Sequence, residues 1–328
     1  MTVPPPDAKP DAEAVELLSR DVERYNHARF EKPSLLNLVN AKLRERNLRG
    51  ARLSNADLRG ADLSGADLTD ARLDGAKLEG CILRGATLRK ADLTGTELGE
   101  PLFDHVDLRG AKAHNVKWPR ARFLECDLRE VEFDRAQLTG LFVHKSQLDG
   151  IAIADSQMAG AQLRESRLAK GGAFQCDLTN ATFDLVPPYS MNLSRSNLAG
   201  ATFAKNSWAA PSFIEAKLPH VSFAGARMSY ADFDHAVLDG ASFREAVLVE
   251  ANFGGAQLGG ADFTGAQLES CSFKGAAATG ARFDGATFKG KVSFAGATLD
   301  GASFHGANDG GAQLDLAGTP YAGRALPK

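Results

Sequence analysis

The chain has 328 residues, a formal net charge of −3 and 44% hydrophobic residues. These values exclude a disordered chain and a strongly basic nucleic-acid-binding protein. No apolar run is long enough to cross a bilayer, and the N-terminus lacks the basic and apolar segments of a signal peptide. The sequence therefore predicts a cytoplasmic protein with no membrane span, with export by a signal-less route as the alternative.

The N-terminal region is predicted to be a proline-rich leader followed by a helix. Residues 1–10 contain four prolines and are predicted to be disordered. Asp11 is a suitable N-cap, and apolar residues then recur at helical spacing at Val15, Leu18, Val22 and Tyr25. We expect a helix over residues 11–32 that caps the open edge of the next domain. An amphipathic helix that binds a partner is the alternative.

From residue 38 onward, a large apolar residue recurs every five residues, usually with a small residue two positions before it. The segment NADLRGADLSGADLTDARLDGAKL has this pattern, with Leu58, Leu63, Leu68, Leu73 and Leu78. Apolar residues five positions apart would spread around the whole surface of a helix and would alternate between the two faces of a straight strand. Neither element can therefore bury all of them on one side. A chain that turns a corner within each group of five can bury both residues. Such a chain stacks on itself as a solenoid.

The period of five is long enough to predict the number of coils. It runs unbroken from Leu38 to Phe288, resumes at Phe294 after one extra residue, and closes at Leu314. In the C-terminal half the large residues nearly alternate between Phe and Leu, Trp or Met. This alternation repeats every ten residues, so like residues stack on like only if each coil has an even number of five-residue groups. Two groups would leave no room for a core, and four is the next even number. We expect about 14 coils, stacked about 4.8 Å apart.

Segments such as ADLRGADLSGADL and ANFGGAQLGGADF resemble the pentapeptide repeat family, whose repeat is A-(D/N)-(L/F)-x-x. The resemblance implies an all-β fold, a right-handed quadrilateral β-helix (a β-solenoid) over residues 33–314, with the N-terminal helix as its cap. It does not imply one activity, because a fold hosts many functions.

The repeat is strained near residue 188, and again one coil later at Trp208. Pro187, Pro188 and Tyr189 put a proline where a core leucine belongs, and we expect a bulge there. Tolerated degeneracy is favoured over a ligand site. The tail, residues 315–328, has no helical pattern. Either it folds over the last coil, or a second copy of the chain covers that end in a homodimer.

No residues with catalytic or metal-binding spacing stand out. The cysteines Cys81, Cys126, Cys176 and Cys271 take the small inward position on four different sides and in separate coils. This pattern predicts buried thiols rather than disulfides or metal ligands. The histidines are scattered, and the surface carboxylates recur because the repeat itself contains them. We therefore predict a non-enzymatic protein without a metal or a cofactor.

Two classes of function remain. The first is a rigid scaffold of bacterial type that binds another protein, whose identity the sequence does not give. The resemblance implies the second, because some pentapeptide repeat proteins mimic duplex DNA and inhibit or protect DNA gyrase, and others occur as effectors or accessory proteins of secretion systems. Mimicry needs a strongly negative face, whereas the charges on each predicted side are nearly balanced. The same balance opposes direct nucleic-acid binding, so the scaffold is the preferred hypothesis.

One outward column differs from the polar repeat. Its members follow one another at intervals of twenty, with Leu124 beside the third: Ile82, Leu102, Arg122 and Phe142. Residues twenty apart should stack directly on this fold. A contiguous apolar patch with Phe and Arg is typical of an interface core. We predict that these five residues, called here the Phe142 column, bind the partner. Local packing or drift in a degenerate repeat is the alternative.

Overall fold

The computed structural model describes residues 4, 5, 7–32, 36–186, 190–203 and 207–323. The chain forms two compact units, Met1–Arg167 and Leu168–Lys328. None of the helices in the described part of the chain has the length and hydropathy that a bilayer crossing requires. The bulge predicted at residues 187–189 lies outside the described residues.

Two short helices occupy the region where a single helix is predicted. Helix α1 spans Ala12–Arg20 and helix α2 spans Val22–Ala28. Asp21 separates them in an extended conformation, with φ −155° and ψ 91°. Its N–H donates to Leu17 O, and its carboxylate accepts from the N–H of Arg24. An aspartate whose side chain caps a helix favours the start of a new helix over continuation of the preceding one, which explains the break between α1 and α2.

Hydrogen bonds tie the helices and the leader to the residues that follow. The Asn26 side chain donates to Gly50 O at 3.0 Å and accepts from Arg52 N at 2.7 Å. Asn40 Nδ2 donates to the carbonyl oxygens of Pro5 and Ala8 at 3.1 and 3.0 Å. The predicted disorder of the leader stays a prediction, and these contacts show where its described residues lie.

In the first unit, residues twenty apart pair in parallel, which makes this unit a β-solenoid. Single bridges run from Asn37↔Asp57 to Gln147↔Arg167. The strands are β1 (Leu102–Asp104), β2 (Arg122–Leu124), β3 (Glu132–Asp134), β4 (Phe142–His144), β5 (Ala152–Ala154) and β6 (Gln162–Arg167). One sheet has the order β1-β2-β4-β6, and β3 pairs with β5.

Each group of five residues uses its hydrogen bonds in the same way. Leu58 N donates to Lys77 O on the next coil at 2.9 Å, and Ala61 N closes the turn by donating to Leu58 O at 2.9 Å. The small and large residues, Ala61 and Leu63 for example, are fully buried. The turn needs one residue with positive φ, which Gly60 adopts at 69°. The predicted corner within each group of five is confirmed.

The second unit repeats this arrangement. Its strands are β7 (Gly171–Phe174), β8 (Thr182–Val186), β9 (Met191–Asn192), β10 (Ser207–Ala209), β11 (Arg227–Ser229), β12 (Val247–Val249), β13 (Gln267–Glu269), β14 (Thr287–Lys289), β15 (Lys291–Ser293) and β16 (Gln313–Asp315). Strands β10 to β14 form one parallel sheet, β7 pairs with β9, and β15 pairs with β16.

Phenylalanines form two stacked columns in the core of this unit. In one column, Phe213 and Phe233 are parallel with ring centroids 4.9 Å apart. Phe233 meets Phe223 of the other column edge to face at 5.5 Å. Both arrangements are favourable for aromatic pairs. The alternation seen in the sequence therefore corresponds to stacking of like on like.

The register shifts twice near the C-terminus. The bridge Ser272↔Ser293 has an interval of 21, as expected from the extra residue before Phe294. Val292 then pairs with Leu314, and Phe294 N donates to Asp315 O. Leu316, which is buried, therefore follows Phe294 in the core, whereas Leu314 is half-buried. The register therefore shifts by one more residue at this end, and the limit of the β-helix at residue 314 stays a prediction.

The described part of the tail packs on the second unit. The Tyr321 ring lies edge-on to Phe304 with centroids 6.0 Å apart. Thr319 is buried, and its hydroxyl donates to Leu316 O at 2.8 Å. These contacts favour the folded tail among the two predicted arrangements of this end.

Candidate partner-binding site

Strand pairing brings most of the Phe142 column together. Leu102 pairs with Arg122 and Arg122 pairs with Phe142, in the parallel strands β1, β2 and β4. Leu124 is half-buried and lies one outward position further along β2. The side chains of Ile82 and Leu102 are each 51% exposed, which is rare for large apolar residues in this protein.

Two arginines flank the Phe142 ring. The guanidinium carbons of Arg122 and Arg164 lie 5.8 and 5.7 Å from the ring centroid, within the range of cation–π contacts. His144 stacks beside the ring at 6.2 Å. Arg164 also donates to Gln162 Oε1 at 2.8 Å, which fixes its guanidinium. The prediction missed Arg164 and His144, although an interval of twenty from Leu124 would have reached both.

At the other end of the column the ladder is open. Leu63 N donates to Ile82 O at 2.9 Å on one side, and Arg122 N donates to Pro101 O at 2.9 Å on the other. Between Ile82 and Leu102, the described backbone has no such bond. A cleft of about 410 Å³ occupies this gap. Ile82 and Leu102 are therefore separated by the cleft and are not paired.

Two residues at the small inward position line the cleft. Cys81 and Pro101 follow each other at the small inward position, where most coils have alanine. Proline has no N–H, so Pro101 cannot make the turn bond that Ala61 makes to Leu58. The Cys81 thiol donates to Leu58 O at 2.8 Å, and burial raises its pKa to about 12. The thiol is therefore protonated at neutral pH and contributes bulk to the cleft wall.

The charged groups around the cleft are paired. Arg84 Nε lies 3.0 Å from Asp104 Oδ2, and Arg120 pairs with Glu100. His105 contacts Asp104 Oδ1 at 2.6 Å through Nδ1. The charged side chains at the rim of the cleft therefore already have partners.

Another outward surface pairs a column of arginines with a neighbouring column of aspartates. Arg89 contacts Asp107 at 2.6 Å, Arg109 bridges Asp107 and Asp127, and Arg129 contacts Asp127 at 2.6 Å. Burial raises the pKa of Asp107, and Arg89 opposes this shift. The carboxylates of this column are neutralised by their neighbours, so they do not create a negative stripe.

The other three cysteines lie in the core. Cys126, Cys176 and Cys271 are buried thiols as predicted, whereas Cys81 is half-buried beside the cleft. Burial raises the pKa of Cys126 to about 11 and that of Cys271 to about 12. Over the described ranges, no group of three or more His, Cys, Asp or Glu side chains is placed to hold a metal.

Comparison with known proteins identifies the family. A family model described as pentapeptide repeats matches this chain in eight copies, and the matched residues include 37–75, 66–100, 107–140, 212–244, 226–265 and 251–290. The chain belongs to the pentapeptide repeat family. A comparison with curated proteins gave no match.

Several solved structures of pentapeptide repeat proteins are similar to this chain. HetL from the cyanobacterium Nostoc sp. strain PCC 7120, described as involved in regulating heterocyst differentiation, is 26% identical. The match covers 84% of this chain and 92% of HetL, with a TM-score of 0.23. QnrB1, a plasmid-mediated fluoroquinolone resistance protein, is 17% identical over 63% of this chain and 83% of its own, with a TM-score of 0.21.

A third similar structure is Rfr23 from the cyanobacterium Cyanothece 51142. It is 15% identical over 56% of this chain and 89% of its own, with a TM-score of 0.17. TM-scores this low carry no argument about what the present chain binds.

Proposed function

We propose that this pentapeptide repeat protein is a non-enzymatic scaffold of a bacterial cytoplasm, and that it binds another protein through the Phe142 column. The observation that supports the proposal is the exposure of Ile82 and Leu102 in the same outward column as a Phe142 ring flanked by two arginines. Exposed apolar residues that adjoin Phe and Arg are typical of the centre of protein interfaces. The partner is a protein of unknown identity, not a nucleic acid.

The proposal includes a right-handed, four-sided β-helix of about 14 coils. The interval of twenty supports four sides, because four bridges begin at Asn37, Lys42, Asn47 and Arg52 before the series repeats at Asp57. We also propose the domain limits given by the sequence: a leader over 1–10, a helical cap over 11–32, the β-helix over 33–314 and a tail over 315–328. An experimental structure tests the handedness and these limits.

Affinity capture from the native host tests the proposed binding face. Phe142→Asp removes the flanked ring and should weaken capture of the partner by about 2 kcal/mol, or roughly thirtyfold, the loss expected for an anchor residue. Tyr230→Asp is a matched control, because Tyr230 is 58% exposed and lies in the second unit. Wild-type capture by the double variant Phe142→Asp, Leu102→Asp would show that the column is not the site.

A further inference from the structure

We propose that the cleft between Ile82 and Leu102 binds an extended peptide segment of the partner, with one aliphatic side chain inserted into the gap. This inference rests on the proposed function for the statement that the ligand is a protein. It adds the chemistry of the segment that is bound.

The backbone at the cleft has unused hydrogen-bonding groups. Elsewhere Ile82 N donates to Ala61 O, and Leu63 N donates to Ile82 O. One coil further, the four corresponding groups have no backbone partner among the described residues. They are Leu83 N, Leu102 N, Cys81 O and Leu102 O. The same two coils are joined again where Gly85 N donates to Asp104 O at 2.9 Å, so the interruption is short. A bound peptide can supply the missing donors and acceptors along this short stretch.

The walls of the cleft determine which side chain fits. Leu78, Leu83 and Leu98 line it, and its volume of about 410 Å³ is in the range of small-ligand pockets. The rim charges are already paired, in Arg84–Asp104 and Arg120–Glu100. An inserted carboxylate or ammonium group would therefore be desolvated without a counter-charge. A neutral aliphatic side chain avoids this cost.

A peptide fits this cleft better than a free aliphatic molecule does. An aliphatic chain alone would fill the gap but leave the amides of Leu83 and Leu102 and the carbonyl of Cys81 without partners. A peptide backbone on either side of the inserted side chain can supply both a carbonyl and an N–H. The cleft also adjoins the rest of the Phe142 column, because Leu102 lines the cleft and pairs with Arg122.

The test uses the full-length protein and a defined probe, acetyl-Val-Leu-Val-N-methylamide. Amide NMR and hydrogen exchange should show shifts and slowed exchange at Leu83 and Leu102 on titration. Acetyl-Val-Asp-Val-N-methylamide should bind at least tenfold more weakly. If 4-methylpentanamide, a single aliphatic chain with one amide, binds as tightly as the tripeptide, the cleft takes a small apolar molecule and the peptide proposal is overturned.

Two variants separate the cleft from the exposed surface. Cys81→Ala combined with Pro101→Ala restores small inward residues and the turn N–H, so it should close the ladder and weaken the probe at least tenfold. It leaves Ile82, Leu102 and Phe142 unchanged. The control Tyr230→Asp should bind the probe as the wild type does. Equal binding by the closed double variant, or no response at the Leu83 and Leu102 amides, would contradict the proposal.

The outcomes also distinguish this inference from the proposed function. If the probe does not bind while Phe142→Asp still weakens capture of the partner about thirtyfold, the Phe142 column is the site and the cleft proposal fails. If the probe occupies the cleft but the partner binds Phe142→Asp and Leu102→Asp at wild-type strength, the cleft accepts peptide and the proposed function fails.

Discussion

At the scale of single residues, inward and outward positions of one strand should respond very differently to substitution. Leu68 is fully buried, whereas the neighbouring Asp67 is half-buried and faces outward. Leu68→Ala should lower the free energy of unfolding by about 2–5 kcal/mol, because it removes buried methyl groups and leaves a cavity. Asp67→Asn, the matched outward change, should cost much less. Chemical denaturation measures both, and equal losses would contradict the assignment of faces.

Acid should weaken the fold through carboxylates such as Asp57. The hydrogen bond from Arg59, at 2.6 Å to Oδ2, lowers the pKa of Asp57 below its usual 3.8. A lowered pKa in the folded state contributes stability that is present above about pH 4 and is lost as the pH falls through the folded-state pKa. Denaturation of wild type and Asp57→Asn should therefore differ more at pH 7 than at pH 3. A difference that is the same at both pH values would exclude this contribution.

At the scale of elements, Asp21 should be the residue that divides the N-terminal helices. It ends α1 and caps α2 through its side chain. Asp21→Ala should cost about 1 kcal/mol, because the N–H of Arg24 loses its acceptor. The loss should appear as a lower midpoint in urea. Unchanged stability would indicate that the two helices can join without the cap.

Some elements could be predicted from the sequence and others could not. The repeat and its turns could be predicted, because residues such as Ala61 and Leu63 recur at fixed spacing. Each position of the repeat is consistently either buried or exposed. The cleft could not be predicted, because its lining residues come from two consecutive coils, with Cys81 and Pro101 twenty residues apart in the chain. The pairing of Leu314 with Val292 could not be predicted for a related reason, since an extra residue within a turn changes the register without breaking the local pattern.

At the scale of the whole molecule, charge should decide between a protein scaffold and a DNA mimic. The net charge is −3, and aspartates such as Asp107 and Asp127 are paired with arginines. We expect no inhibition of supercoiling when DNA gyrase is titrated with the protein. Inhibition at low micromolar concentration would overturn this ranking and favour the gyrase alternative.

Association through the C-terminal end is the second prediction at this scale. The Phe-rich coils at this end are covered, in the described residues, by a tail that includes Tyr321. A homodimer predicts that sedimentation approaches twice the chain mass of 34.8 kDa as concentration rises. A monomer at every concentration would leave the tail as the cover of the last coil.

The interval of twenty also constrains how such a chain can change length in evolution. Duplication of twenty residues adds one coil and leaves every outward column aligned, so a binding surface above and below the insertion would be inherited intact. Duplication of a single group of five would instead turn the later columns onto a different side of the coil. A lone extra residue, as before Phe294, is absorbed within a corner, and the pairing continues at an interval of 21. Gene duplications in this family should therefore survive most often in multiples of one coil.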